Sequence, residues 1–165
     1  MAPDLAMVGE GPAQASGGGK YLVTLGSDEL GGSFSFAAND LPNGKATGQL
    51  RYTIDFFGEH VEFHGSVTCL SVDQEEGRAW IGGVITRNVS VAELWASGEI
   101  YEPGRDIWFR VLDSGEGEES VDRTTFVGFE GGGGIPTSQE YCDAMIWPDD
   151  NARTWPVTAG NIQVR

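Results

Sequence analysis

Two groups of side chains have the types and spacing to do chemistry. His60, Glu62 and His64 stand at i, i+2 and i+4 and include both histidines of the chain. On a β-strand these three share one face, with neighbours about 7 Å apart. Two imidazoles and a carboxylate are the donor types of a divalent transition-metal site. The second group is acidic: Asp113, Glu116, Glu118, Glu119 and Asp122, with glycines between them. Carboxylate oxygens in a turning loop are what Ca²⁺ takes, although the spacing is not that of an EF-hand. Each group also has a plainer reading, a solvated polar strand face and a charged hairpin loop. A divalent cation is the one cofactor these residues suggest.

Nucleophilic catalysis finds no such footing. There is no GxSxG, and no motif pairs a cysteine with a histidine. Cys69 and Cys142 lack the CxxC or Cys/His spacing of a zinc site and, on spacing alone, suit a disulfide or two reduced thiols equally. Carboxylates are so abundant that finding two together says nothing. Tyr52, Trp80 and Trp108 are candidates to line an apolar ligand cavity, or else they pack the core and its rim. The sequon at Asn88 to Ser90 is a further surface motif.

The elements that would position these groups centre on residues 60–87, HVEFHGSVTCLSVDQEEGRAWIGGVITR. Val61, Phe63, Val67 and Cys69 alternate with His60, Glu62, His64, Ser66 and Thr68, which is the period of a strand. Residues 73–77 are polar and end in glycine, as a longer hairpin loop does. The outgoing strand would measure about 45 Å if straight, too long for a flat strand in a small domain, and Gly65 and Gly82-Gly83 are the places to bend it. A long bent hairpin implies a closed antiparallel barrel.

The remaining pattern agrees. Strands are expected over residues 21–25, 33–37, 47–57, 107–112, 123–129 and 161–165, with a single helical turn near residues 90–96 and loop over 130–156. The fold class is therefore all-β, an antiparallel barrel of about eight strands with long loops and little helix. Phe34, Phe36, Leu50, Tyr52, Ile54, Val61, Phe63 and Val67 should be buried. Residues 1–19, with Gly17-Gly18-Gly19 as linker, read as a flexible leader before one domain at 20–165. The formal charge of −15 disfavours nucleic acid and anionic lipid as partners, and no apolar run reaches the ~20 residues of a membrane span.

Several segments resemble known proteins: residues 68–72 (TCLSV), 79–87 (AWIGGVITR), 113–117 (DSGEG), Tyr141-Cys142 and 160–165 (GNIQVR). Together they resemble a family of secreted bacterial β-rich proteins of uncharacterised function, and the end resembles post-COAP-like domains. Ser114 stands where that family usually has asparagine. The resemblance implies a β fold, an exported chain (secreted, extracellular or periplasmic) and a disulfide between Cys69 and Cys142; it brings no catalytic residues. Three functions follow as expectations. The first is a secreted non-catalytic barrel with a binding or structural role. The second is a small barrel cyclase or isomerase taking a small-molecule ligand into an apolar cavity. The third is a surface protein that self-associates by strand addition from its leader.

Overall fold

Alternating apolar residues broken by turn residues make strands, and pairing of the first strand with the last closes them into a ring. The computed structural model describes residues 12–115 and 120–165. Among these, nine strands form one antiparallel sheet: β1 (Gln14–Leu25), β2 (Asp28–Asp40), β3 (Ala46–Phe56), β4 (Glu59–Asp73), β5 (Arg78–Asn88), β6 (Asp106–Leu112), β7 (Arg123–Thr124), β8 (Gly128–Phe129) and β9 (Trp155–Val164). Each strand from β1 to β6 pairs with the next. β6 pairs with β7, β7 with β9 and β9 with β1. Eight strands thus form a closed antiparallel barrel, and β8 adds a short ninth against β6. Among the described residues no helix is long and apolar enough to cross a membrane.

The residues expected inside are inside. Phe34, Phe36, Leu50, Tyr52, Ile54, Val61, Phe63 and Val67 join Ile107, Phe109 and Val111 in one core. Tyr21, Phe34, Phe36, Tyr52 and Phe109 form a network of rings with centroids 4.8–6.2 Å apart. The two phenols need partners there, because a buried hydroxyl without one is costly. Tyr52 OH meets Thr124 Oγ1 at 2.6 Å, and Tyr21 OH donates to the Thr53 carbonyl at 2.6 Å. Burial pushes both phenols above their ordinary pKa, so they stay neutral donors.

The long strand β4 bends where its glycines predict. Its register against β5 shifts between His64 and Gly65 and again between Val67 and Cys69, the latter opposite Gly82-Gly83. The second shift reverses the faces. Thr68 is passed over in the pairing, so the alternation slips by one. Leu70 and Val72 then pack on the inner core. Cys69, expected on the face of Val61, Phe63 and Val67, turns outward instead. There it forms a buried disulfide with Cys142, Cα atoms 6.2 Å apart.

Cys142 lies on α2 (Ser138–Ala144), a helix within the stretch expected to be loop. Thr137 caps it by accepting from the Glu140 amide. The helix rests on the outside of β4, β5 and β6, held by Ser138 Oγ to the Gly83 carbonyl and Ser71 Oγ to the Cys142 carbonyl. Gly82 makes the room: a Cβ there would come within 2.7 Å of both Cys69 Sγ and Ser138 Cβ.

Two further expectations are corrected. Residues 14–19 are not leader but the first half of β1, paired to β2 on one side and β9 on the other. Three consecutive glycines hide the alternation, yet Ala15 is buried, and a side chain at Gly17 would collide with the Asn161 carbonyl. Residues 1–11 lie outside the described residues. The strand expected over 123–129 is broken into β7 and β8, because Thr125 Oγ1 accepts from the Arg110 amide in place of a backbone carbonyl.

The disulfide closes a separation of 73 residues, for which chain entropy gives about 4 kcal/mol. Replacing Cys69 and Cys142 together by serine is expected to lower unfolding free energy in denaturant titration by that order, with α2 exchanging its amides far faster than β1 to β3.

Candidate functional site

The β3–β4 end of the barrel carries the most unusual local chemistry. Strand β3 turns into β4 through Phe57-Gly58, with φ of +53° and +90°. Two successive left-handed residues make a type I′ turn, where Asn-Gly or Gly-Gly is the usual pair. Here the first is phenylalanine, at roughly 1–2 kcal/mol of backbone strain, and its side chain is 57% exposed. Asp55 Oδ1 accepts from the Gly58 amide at 2.7 Å and steadies the turn.

The chain after β5 folds against this turn. The Val91 and Ala92 amides donate to the His60 carbonyl at 2.7 and 3.1 Å, and the Glu62 amide donates to Ser90 Oγ. Helix α1 (Glu93–Ala96) follows. Asn88 Nδ2 holds it in place by donating to the Trp95 and Tyr101 carbonyls, so the sequon side chain has a structural task. Trp95 then packs edge-on against Phe56, which packs against Phe57. Along this turn and the segment that follows β5, which we call the β3–β4 rim, Phe57, Val91, Leu94 and Ile100 are exposed. Asp55, Glu59, Glu93, Glu99 and Glu102, on the same segments, are exposed carboxylates.

Beside the rim, on the outer face, lies the His60–Glu62–His64 set. Glu62 Oε1 meets His60 Nε2 at 2.7 Å, Oε2 meets His64 Nε2 at 2.5 Å, and Arg51 Nε adds a contact at 3.3 Å. A carboxylate only accepts, so each Nε2 carries its proton and donates. Both imidazoles are thus aimed at the carboxylate and not at a common point between them. Among the described residues no three or more His, Cys, Asp or Glu side chains are disposed around an ion position. Burial alone would raise the Glu62 carboxyl; the hydrogen bonds from His60, His64 and Arg51, with the Arg51 charge, overcome it and bring the pKa to about 2.

The acidic loop separates in two. Glu116, Glu118 and Glu119 lie outside the described residues. Asp113 and Asp122 spend their oxygens on backbone amides: Asp113 on Gly115 and Val164, Asp122 on Ser114 and Ile162. They pin the loop to β9. The three cavity candidates do not line one space. Tyr52 faces the interior, whereas Trp80 and Trp108 face outward under α2, with Tyr141, Ile135 and Trp147. On β5 and β6 the inward positions belong to the neighbours Ile81, Ile107 and Phe109, which leaves Trp80 and Trp108 on the outer face.

Sequence reading missed the Phe57 rim, though Phe-Phe-Gly at a hairpin turn was its signal. It also missed the outer pair Arg78 and Arg110. No protein-family model matches the chain, and neither a curated protein nor a solved structure is significantly similar to it.

Two outcomes are expected. Glu62 is depressed from 4.5 to about 2, so its contribution is complete above the unfolded value and is lost as pH falls from about 4.5 towards 2. The difference in Tm between wild type and Glu62→Gln should therefore be constant just above pH 5 and shrink across that window. Asp122→Ala should cost about 2 kcal/mol in denaturant titration, because two amides lose a charged acceptor.

Proposed function

We propose that this chain is a secreted β-barrel module that acts by binding, and that it binds through the apolar rim at the β3–β4 end. One observation carries the reading. Phe57 is an exposed aromatic held in a left-handed conformation that asparagine or glycine would adopt at less cost, and a strained, exposed residue points to a use outside the fold. Val91, Leu94 and Ile100, on the segment after β5 that folds against this turn, are exposed apolar residues as well, and grouped exposed apolar residues mark interaction sites. The exposed carboxylates on the same segments, on a chain of net charge −15, suit a partner that combines apolar and basic groups.

The packed rings of the interior support binding on the outside over turnover within. The disulfide supports an oxidising compartment, in keeping with the resemblance to secreted bacterial β-rich proteins and post-COAP-like domains. Strand addition by residues 14–19 is disfavoured, since both edges of β1 are already paired within the chain.

A Lys/Leu amphipathic peptide, followed by fluorescence anisotropy, tests the rim. Wild type should bind it with salt-dependent affinity, and Phe57→Asn with Leu94→Asn should weaken binding at least tenfold. Phe57→Asn alone should raise stability by about 1 kcal/mol, since asparagine tolerates the left-handed position. Equal binding by wild type and the double variant would refute the proposal.

A further inference from the structure

On the opposite flank, under the segment that follows α2, two arginines stand side by side. In the β5–β6 register Trp80 faces Arg110 and Arg78 faces Leu112, so Arg78 and Arg110 are diagonal neighbours on the outer face. Both guanidiniums lie against the Trp147 ring, with Cζ 5.0 and 5.2 Å from its centroid. Arg110 is only 9% exposed, while Arg78 and Trp147 are half-buried. The site is therefore deep at Arg110 and open at Arg78.

Their charge balance is unusual. The chain has 25 acidic residues against 10 Lys and Arg, so carboxylate partners are plentiful. Yet among the described residues the ion pairs of arginine involve Arg51 and Arg105, not Arg78 or Arg110. Stacking on Trp147 satisfies the face of a guanidinium, but its N–H donors lie in its plane. Arg110 places one Nη2–H on the Ala152 carbonyl at 2.6 Å. The Nε atoms of both arginines are buried and have no hydrogen-bond partner among the described residues. Two adjacent like charges with orphaned in-plane donors need an acceptor that carries negative charge.

Tyr141 completes the wall. It stacks on Trp108 at 5.4 Å, and its phenol, pushed up to about 12 by burial against the easing effect of the Arg110 charge and hydrogen bond, stays a neutral donor beside that guanidinium. The disulfide and the hydrogen bond from Trp80 Nε1 to the Ile146 carbonyl hold this segment over the arginines.

We propose that Arg78 and Arg110, with Tyr141 and Trp147, form a binding site for a small oxyanion, a carboxylate or a tetrahedral sulfate or phosphate, separate from the β3–β4 rim. Planar guanidiniums bind such groups through paired N–H donors.

The test is a titration of the intact, oxidised protein with sodium acetate, sulfate and phosphate, each against sodium chloride at matched ionic strength, reading tryptophan fluorescence and Tm. Wild type should show a saturable response to at least one oxyanion, and which one responds assigns carboxylate or tetrahedral chemistry. Arg78→Gln, at a half-buried position, should keep its circular dichroism spectrum and bind at least tenfold more weakly. General salting effects are common to wild type and variant and cancel in that comparison. Arg110→Lys, which keeps the charge but not the planar donors, should weaken binding likewise. The proposal is overturned if no oxyanion differs from chloride, or if Arg78→Gln responds as wild type does.

Discussion

One residue left out of the β4–β5 ladder, Thr68, decides which way the second half of β4 faces. Before it, Val61, Phe63 and Val67 fill the barrel; after it, Leu70 and Val72 do. That slip keeps the interior apolar along a strand of 15 residues while turning Cys69 to the outside. A strand this long cannot stay flat on a small barrel, and a bulge bends it and adds twist. The outward cysteine is a consequence of that bend. On it depend the disulfide, the seating of α2, and the cover over Trp80, Trp108 and the two arginines.

The wall so built separates two chemistries. Inside, five aromatic rings and two internally satisfied phenols leave an apolar, neutral core. Outside, the sheet presents charge and strain in particular places: an over-coordinated Glu62, an exposed Phe57 on a costly turn, and a pair of arginines stacked on Trp147. Asp113 and Asp122 belong to neither side; they join the loop before β7 to β9. Their role matters because ring closure there rests on β7, a strand of two residues, and side-chain acceptors supplement the few ladder bonds it can make.

How much of this was legible in the chain follows from where side-chain alternation is visible. Strand β3 and the part of β4 before Thr68 carry clean period-two patterns, and their apolar inward residues were readable one by one. Even the bend sites at Gly65 and Gly82-Gly83 were. In β1, glycines 17 to 19 have no side chain to alternate, so the opening strand read as linker. The direction of Cys69 was hidden because one skipped residue inverts every face beyond it, and nothing local marks Thr68 as the one skipped. Helix α2 is only seven residues long, too short to show a helical period among polar neighbours. The His60–Glu62–His64 set was visible by spacing, but spacing could not say that both imidazoles would turn to the carboxylate between them. The Phe57 rim was missed for another reason: the alternating pattern over 47–57 runs through Phe57, whereas β3 ends at Phe56 and Phe57 stands in the turn.

The central claim is that this barrel binds at its β3–β4 end and not within its interior. Amide hydrogen exchange with and without a bound Lys/Leu amphipathic peptide tests it most directly. Protection confined to residues 55–62 and 88–101, with β1 and β2 unchanged, is the predicted result. Protection of the interior-facing strands β1 and β2, with residues 55–62 and 88–101 unaffected, would contradict it.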